Sequence, residues 1–465
     1  MTELPNQFLL KWINFWVFVF SVSVLSLNRH GGEAAIILLL TMTYIFITNN
    51  YDRSKNNLNP NEVIFITLVI LFWSLNLFNT LFQPTGLEFE SYRIALSAMD
   101  NPMRWILMLP IFFLLRSYLL DWRLISIGLS IGVFISVSIG VYEVFFLGYS
   151  RATGGLNHAI TFGQLMVVTD MLLWVFMIFA WNNKNKLLAM MLLFSSLVAF
   201  YGSLLSVTRG AWIAYIFMVF SLIIYTIKRT IFNKQYLFSK PNLLRIFLAF
   251  LVFFLVSQTN QYRTIQERTV DTIEYVKSKG QSDIWGSEGL RIDIYRTAIE
   301  IARNYPFGAG TDNFRNGAKA VIIKDAKFNN NIEVRNGDNK LIEDLLIDDI
   351  NKYKILQSSS LNMGAIRFTA QMDHAHNEWL NVLAENGIAG IILLTLLFIF
   401  PIKIFWQNLN HKNELVGMYC YCGILLTVSF GIFGQTESIF SSHAVLLFFI
   451  FYLYLFIGQI YRLIR

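Results

Sequence analysis

The chain has 465 residues, of which 55% are hydrophobic and only 14% are charged, and its formal net charge is +7. An average soluble domain carries roughly a quarter charged residues, so this composition excludes an ordinary soluble globular protein. It indicates a protein that exposes much of its surface to lipid. The two cysteines, Cys420 and Cys422, lie in an apolar segment and therefore say nothing about the redox compartment.

Long apolar segments recur along the chain. A segment of ~20 apolar residues suffices to cross a bilayer core of ~30 Å, where only helices and closed barrels satisfy the backbone. The pattern predicts an all-α polytopic membrane protein of about 12 transmembrane helices. No cleavable signal peptide is expected, because the first segment lacks a small-residue cleavage site. The predicted spans are 8–27, 33–48, 63–82, 103–120, 124–148, 159–181, 187–207, 211–227, 243–257, 384–405, 415–434 and 439–460.

The distribution of Lys and Arg predicts the orientation of these spans. With an even number of spans both termini lie on the same side, and most basic residues of the short connections fall on that side. The positive-inside rule then places the termini in the cytoplasm, so the net charge reflects membrane topology and not nucleic-acid binding. The short connections on the other side carry only Arg29, Arg93, Arg104, Arg151 and Arg209.

One long polar segment interrupts the series of spans on the outer face. It divides the chain into 1–257 with the first nine spans, the loop 258–376, and 377–465 with the last three spans. A structureless loop of this length would be unusual in a compact protein. We therefore predict a small helical subdomain outside the membrane.

The clearest helix of this loop lies in SEGLRIDIYRTAIEIARNYPFGAG. Ser287 is a suitable N-cap, apolar residues recur at helical spacing, and Pro306 ends the pattern. Arg291 falls in the first turn, where a cation opposes the helix dipole unless an anion such as phosphate binds beside it. The alternative is a solvated arginine on an exposed face. A second amphipathic helix is predicted at Asn339–Gln357.

Further polar residues fall at the outer ends of the spans. Arg209, in LLSVTRGAWIAY, lies between two apolar segments. Such an arginine faces the bundle interior or a cavity, or else extends to the interface along its aliphatic stem. Arg151 and His158 precede the sixth span, and Glu437 and His443 lie between the last two, where they can also be ordinary interfacial residues. Their common location predicts one site at the outer face.

Two histidines precede the tenth span. His374 and His376 follow Asp373, and such a pair can suggest zinc. No third ligand stands at a diagnostic spacing, and side chains two residues apart on a helix diverge, so no metal site is predicted. A histidine at the interface can be a simple hydrogen-bonded anchor. It also titrates near neutral pH, which suits a general base acting on a hydroxyl group.

Three motifs occur in a fixed order along the chain. They are TRGAW around Arg209, GLRIDIYRTAIEIARNYPFGAGTDNF around Arg291, and HNEWLNVLAENGIAG, in which His376 and Asn377 precede Gly387 and Gly390. Together they resemble the O-antigen ligase and polymerase superfamily of bacterial envelopes. The resemblance covers most of the chain, including the large periplasmic loop before the tenth span. It implies a fold of the GT-C glycosyltransferase type.

The resemblance also implies an activity. Such enzymes take a glycan from an undecaprenyl diphosphate carrier at the periplasmic face of the bacterial inner membrane. The ligase transfers the glycan to a sugar hydroxyl of lipid A-core and so completes lipopolysaccharide. Because the diphosphate is already a good leaving group, no cofactor is expected, and a single direct displacement would invert the anomeric centre.

Roles for the candidate residues follow from this resemblance. Fixed guanidiniums suit a diphosphate leaving group, so Arg209 and Arg291 are expected to stabilise it, with Arg151 as a third contact. They would replace a metal ion, and metal-independent transfer is expected. His376 is the expected base. The remaining residues expected to bind substrate are His158, His374, Asn377 and Glu437.

Three alternatives remain open at this point. A polymerase would use the same donor with a second carrier-linked glycan as acceptor, and a protein O-oligosaccharyltransferase would use a serine or threonine. A transporter could bind an anion through a buried arginine. Transporters typically show symmetric interrupted helices in their two halves. This sequence shows no such pattern, and its one-sided polar loop fits catalysis at one face better than alternating access.

Overall fold

The computed structural model describes residues 4–27, 31–48, 57–89, 91–217, 247, 254, 287–321 and 372–465. All regular structure in these residues is helical. The named helices are α1 (Leu4–Ser26), α2 (Gly31–Ile47), α3 (Pro60–Leu81), α4 (Tyr92–Ala98), α5 (Asp100–Leu107), α6 (Leu109–Ser117), α7 (Trp122–Phe145), α8 (Ala159–Asn182), α9 (Lys186–Leu205), α10 (Ser287–Asn304), α11 (Glu378–Asn408), α12 (Glu414–Phe433) and α13 (His443–Ile464). Residues 209–217 and 314–321 are also helical.

Within the described residues, eight helices are long and apolar enough to cross a membrane, namely α1, α3, α7, α8, α9, α11, α12 and α13. The all-α membrane architecture is therefore confirmed. Helix α2 is a shorter apolar helix. The predicted spans 211–227 and 243–257 and the amphipathic helix Asn339–Gln357 lie largely or wholly outside the described residues. The total of twelve spans and the three-part division of the chain stay predictions.

The fourth predicted span, 103–120, differs from a simple helix. The chain here forms α4, α5 and α6, and the axis of Asp100–Ser117 bends by 48° from that of Tyr92–Ala98. Pro110 falls in the first turn of α6, where its missing N–H needs no partner. A proline at this position favours a new helix start over an unbroken helix, which accounts for the separation of α6 from α5.

Helix α13 forms the centre of the bundle. Every residue from Ala444 to Tyr461 is buried, as expected for a helix that is apolar on all sides. Its tyrosines find hydrogen-bond acceptors, because a buried hydroxyl without one is costly. The Tyr452 hydroxyl donates to Ser21 Oγ at 2.8 Å, and the Tyr454 hydroxyl donates to the Trp105 carbonyl at 3.0 Å. These bonds attach α13 to α1 and α5.

The α10 helix of the outer loop packs on α11. The apolar side chains predicted to line one face of α10 are buried, among them Ile294, Ala298 and Ile301, which form a small core with Phe314. The helix predicted from Ser287 to the residues before Pro306 is thus confirmed. This packing brings α10 against one end of a helix long enough to cross a membrane.

A backbone interlock fixes the loop after α10 to α11. The amides of Ala309 and Gly310 donate to the carbonyls of Ala384 and Glu385 at 2.9 and 3.0 Å, and the Ile388 amide donates to the Pro306 carbonyl at 3.2 Å. Such close backbone approach requires residues without a side chain. It explains two of the glycines in the motifs.

Gly387 interrupts the helical conformation of α11 with a φ of 65° and a ψ of −161°. A Cβ at Gly387 would overlap the carbonyl oxygen of Pro306, and one at Gly308, with φ 106°, would overlap that of Glu385. In HNEWLNVLAENGIAG, Gly387 therefore both bends α11 and leaves space for the loop after α10. The bend lies close to the histidines that precede α11.

Candidate functional site

A cavity of about 740 Å³ opens at one end of the bundle. Its walls come from α5, the start of α8, the loop 372–377 and the connection between α12 and α13. The ionisable lining residues are Asp100, Arg104, His158, His374, His376, Glu437 and His443. Four of the residues predicted to form a site therefore meet in one cavity: His158, His374, His376 and Glu437.

His376 is held by both its ring and its backbone. Its Nδ1 lies 2.8 Å from Glu437 Oε1. Its carbonyl accepts a hydrogen bond from the Tyr295 hydroxyl of α10 at 3.3 Å. The φ of His376 is 49°, in the left-handed region that residues with a Cβ adopt at a cost. The loop is thus constrained in a conformation that presents the imidazole to Glu437.

The side chain of Asn377 also stabilises this turn through hydrogen bonds. Its Oδ1 accepts from the Leu380 amide at 3.1 Å as the N-cap of α11, and its Nδ2 donates to the Gln435 carbonyl at 3.0 Å. The Glu378 amide donates to the Gly434 carbonyl at 2.7 Å. The Asn377 amide therefore holds the start of α11 against the end of α12. A direct contact of Asn377 with substrate stays a prediction.

The Glu437 carboxylate is almost enclosed, with its side chain 12% exposed. Burial by itself would raise its pKa, but the hydrogen bond and charge of His376, together with His374 and Arg291, outweigh burial and lower the pKa. Glu437 is thus ionised at neutral pH and accepts the Nδ1–H of His376. Its second oxygen, Oε2, and the Ser438 Oγ are buried without a hydrogen-bond partner among the described residues.

Two further imidazoles of the cavity, those of His374 and His158, are held in the neutral form. Burial, followed by the charge of His376, lowers the pKa of His374. Desolvation lowers the pKa of His158, with smaller contributions in the same direction from Arg151 and His376. The rings of His374 and His376 meet edge to face with centroids 4.5 Å apart. His374 and His158 therefore add no positive charge to the cavity at neutral pH.

The predicted arginines lie close to this cavity, although they are not among its described lining residues. Arg151 donates from Nε to the Ser206 carbonyl at 2.9 Å and from Nη2 to Thr208 Oγ1 at 3.3 Å. This bond pattern ties the loop before α8 to the turn that precedes Arg209. A Cβ at Gly210 would overlap Thr436, so the TRGAW turn packs beside Glu437.

Arg209 and Arg291 reach the site from different elements. Arg209 is half-buried at the first residue of the helical segment 209–217. Arg291 is half-buried in the first turn of α10, and its charge contributes to the lowered pKa of Glu437. The motifs that contain these arginines thus converge on the turn that carries Glu437. Their contact with a diphosphate stays a prediction.

Arg104 is a cavity residue that sequence reasoning missed as a site residue. Its side chain is 12% exposed, and it bonds to Asp100 and Asn101 in the same short helix. In the sequence it counts only as one of the few basic residues on the outer side. It lies in α5, directly after the bend that follows α4, and hydropathy does not reveal such a bend.

A wall of neutral polar side chains faces the ionisable residues. Ser442 Oγ accepts a hydrogen bond from Thr161 Oγ1 at 3.3 Å across the start of α8 and the start of α13. Gln164 is 2% exposed and lines the same cavity. Hydroxyl and amide groups of this kind bind the hydroxyls of sugars and alcohols. The wall consists of Thr161, Gln164, Ser438, Ser441 and Ser442.

The structure brings together potential metal ligands that the spacing along the sequence does not reveal. His374 and His376 lie in a loop, so their rings do not diverge as they would on a helix. Glu437, distant in sequence, supplies a third potential ligand, and one ligand atom from each residue lies within 4.8 Å of the others. These residues could therefore hold a metal ion. Whether transfer depends on metal is a separate question.

Comparison with known proteins finds a family match for the part of the chain that carries Arg209 and Arg291. Residues 194–346 match the family model described as O-antigen ligase. This segment, about a third of the chain, is therefore similar to an O-antigen ligase domain. An uncharacterized protein of Haemophilus influenzae is 22% identical over 436 residues, which cover 93% of this chain and 94% of that protein. The family indicates a membrane enzyme of the glycosyltransferase type with a lipid-linked sugar donor, as the motifs predicted.

Proposed function

We propose that this protein transfers a glycan from undecaprenyl diphosphate to a sugar hydroxyl of lipid A-core. Transfer would take place at the periplasmic face of the inner membrane, with both termini of the chain in the cytoplasm. The observation that carries the proposal is the pair of His376 and Glu437, joined at 2.8 Å and facing a polar cavity of about 740 Å³.

In this mechanism His376 acts as the general base. Its Nδ1–H donates to Glu437, which fixes the tautomer and leaves Nε2 free to accept a proton. The acceptor hydroxyl gives its proton to Nε2 while its oxygen attacks the anomeric carbon of the donor. The bond from that carbon to the diphosphate breaks, the diphosphate takes the electron pair, and the anomeric centre inverts. Glu437 stabilises the imidazolium that forms.

The neutral wall supports a sugar as the acceptor. Ser438 Oγ and Glu437 Oε2 are buried, lie beside the base and lack partners among the described residues. A buried polar atom without a hydrogen bond is costly, and an incoming hydroxyl would remove that cost at both atoms. We assign the acceptor sugar to the neighbourhood of Ser438, Ser442 and Gln164.

The arginines would receive the leaving diphosphate. Arg209 and Arg291 belong to motifs that converge on the turn of Glu437, Arg151 braces that region, and Arg104 adds a cation on the cavity wall. A guanidinium can bind two phosphate oxygens at once and stays charged at every relevant pH. These groups would stabilise the developing charge without a metal ion, so transfer should persist in excess chelator.

Purified protein allows a direct test of donor and acceptor. The wild-type chain is incubated with a carrier-linked glycan and either lipid A-core or a second carrier-linked glycan. We expect transfer to lipid A-core, loss of transfer in His376→Ala, and normal transfer in His411→Ala, whose exposed side chain lies at the other end of α11. Extension of the carrier-linked glycan in place of ligation would identify a polymerase.

A deletion strain provides the complementary test in cells. Loss of the ligase should remove all long-chain lipopolysaccharide bands while carrier-linked polymer accumulates. Loss of a polymerase should instead leave lipopolysaccharide that carries a single repeat unit. A strain with unchanged lipopolysaccharide and altered glycosylation of envelope proteins would point to a protein O-oligosaccharyltransferase.

A further inference from the structure

We propose that His374, His376 and Glu437 form a binding site for a divalent transition-metal ion of the zinc class, and that the bound ion reversibly inhibits transfer. Binding itself is independent of the reaction. Its inhibitory effect rests on the proposed role of His376 as the base. With such a site, an enzyme that needs no metal ion for transfer would still be sensitive to zinc.

The three side chains already have the proximity that an ion requires. One ligand atom from each lies within 4.8 Å of the others, and His376 Nδ1 is 2.8 Å from Glu437 Oε1. A tetrahedral zinc ion with bonds of ~2.0–2.2 Å places neighbouring ligand atoms ~3.3 Å apart. The ion therefore needs only small rotations of these side chains, with the ring proton of His376 moved from Nδ1 to Nε2.

The chemistry of the set favours zinc over a hard cation. Two imidazoles and one carboxylate are a ligand set that binds zinc in enzymes and leaves a fourth position open. Magnesium prefers six oxygen ligands in near-octahedral order, which two imidazoles do not supply. The side chains of His376 and Glu437 are only 25% and 12% exposed, so the ligands are partly shielded from water on the side away from the cavity.

Contacts outside the cluster hold its geometry. The Tyr295 hydroxyl donates to the His376 carbonyl, and the Asn381 Oδ1 accepts from the Ala375 amide at 3.0 Å. These bonds fix the backbone between the two histidines, so both rings stay on the same side of the loop. Partners that orient metal ligands typically contribute 10–100-fold in affinity. The loop is thus organised before an ion arrives.

A metal ion here would block the reaction because it removes the free lone pair of the base. With zinc on Nδ1 of His376, the neutral imidazole carries its proton on Nε2, which then cannot accept a second proton, and a carboxylate bound to zinc no longer accepts from His376. The fourth ligand position would also open into the cavity where the acceptor sugar is placed. Removal of the zinc ion by a chelator should restore His376 as the base together with its hydrogen bond to Glu437.

The test is a zinc titration of the purified full-length chain after treatment with chelator and dialysis, followed by calorimetry. We expect one strong zinc site, no comparable magnesium site, and a loss of zinc affinity of roughly tenfold or more in His374→Gln. His443→Gln is the matched control, because His443 lines the same cavity outside the cluster and should leave zinc affinity unchanged. Absence of the strong site, or equal loss in both variants, overturns the proposal.

The inhibitory effect is measured separately by transfer assays with and without zinc. Wild-type transfer should fall at saturating zinc and recover when chelator is added. Stimulation by zinc, or transfer that is insensitive at saturation, overturns the inhibition. If the wild-type chain transfers no glycan at all, the proposed function fails, whereas the metal site is still decided by the titration.

Discussion

The two histidines before α11 differ in what their side chains contact. His376 has a carboxylate partner at 2.8 Å and a backbone carbonyl held by Tyr295. His374 packs edge to face against the His376 ring, and its Nδ1 accepts a weak bond from the His376 amide at 3.4 Å. A carboxylate partner orients an imidazole and stabilises its charged form, so the base role belongs to His376.

We therefore expect His376→Ala to lose far more activity than His374→Ala. A general base contributes about 10²–10⁴-fold, which is enough to abolish long-chain product in cells. Transfer from a carrier-linked glycan should be measured for both variants and for the wild type under identical conditions. Near-normal transfer by His376→Ala would remove this residue from the mechanism.

The arginines allow a second test at the residue scale. Arg209→Ala and Arg291→Ala should each slow transfer by roughly 10²–10³-fold, or ~2–4 kcal/mol, because a contact to the developing diphosphate charge is lost. Lysine at either position should restore activity only in part, since an ammonium cannot bind two oxygens in a fork. Membrane insertion and thermal stability serve as controls. Full activity with lysine at both positions would contradict the bidentate role.

Sequence alone predicts part of this site, for identifiable reasons. His376, Arg209 and Arg291 belong to contiguous motifs, and ionisable residues at the ends of apolar segments are conspicuous. The pairing of His376 with Glu437 joins residues 61 positions apart, so no local spacing reveals it. For the same reason, no local spacing in the sequence reveals the potential metal ligands. Glu437 can be recognised as a candidate from the sequence, whereas its role requires the fold.

At the scale of secondary structure, the junction of α10 with α11 determines where the site residues lie. The loop after α10 reaches α11 through three backbone hydrogen bonds at the bend around Gly387. The sequence predicts α10 correctly because its apolar residues recur at helical spacing. It does not predict the bend in α11 or the break between α4 and α5, because hydropathy averages over such interruptions. The position of Arg104 depends on that break.

Gly387→Ala should destabilise this junction. The added methyl group would overlap the Pro306 carbonyl, and the φ of 65° is unfavourable for alanine, so we expect a loss of ~1–3 kcal/mol with reduced transfer. Gly431→Ala in α12 is the matched control, because the nearest atom to its Cβ is at an ordinary 3.7 Å. Thermal unfolding in detergent measures both variants. Equal stability of the two would contradict the interlock.

At the scale of the whole molecule, the site makes stability depend on pH. The pKa of His374 is lowered in the folded protein by burial and by His376, whereas in the unfolded chain it returns to about 6.5. Between these two values the unfolded chain binds a proton that the folded protein does not, so unfolding becomes more favourable as pH falls. Glu437, whose pKa is also lowered, acts in the same direction at still lower pH.

The melting temperature of the detergent-solubilised protein should accordingly fall between about pH 7.5 and 5.5, across the ordinary histidine pKa. His374→Gln removes one of the groups responsible and should show a smaller fall over the same range. His411→Gln, at an exposed turn far from the cavity, should follow the wild type. A wild-type protein that is more stable at the lower pH would contradict the assignment of neutral imidazoles.

The orientation of the whole molecule in the membrane is the last consequence that can be tested. The cavity lies at the end of the bundle where α11 begins, and the turn that contains His411 follows the end of α11. A carrier-linked donor presented at the periplasmic face requires the cavity end to face the periplasm. Tyr149, in the loop between α7 and α8 that leads to the cavity, is 51% exposed. The native Cys420 and Cys422 are both buried and free, so they provide a low labelling background.

We expect a membrane-impermeant maleimide to label Tyr149→Cys in spheroplasts, because the loop before α8 would face the periplasm. His411→Cys should be labelled only after the membrane is opened, since its turn would face the cytoplasm with both termini. The wild-type chain, which carries only the buried cysteines, measures the background in each condition. The reverse pattern would place the cavity in the cytoplasm, where a periplasmic acceptor cannot reach it, and would exclude ligation to lipid A-core while leaving the zinc titration unaffected.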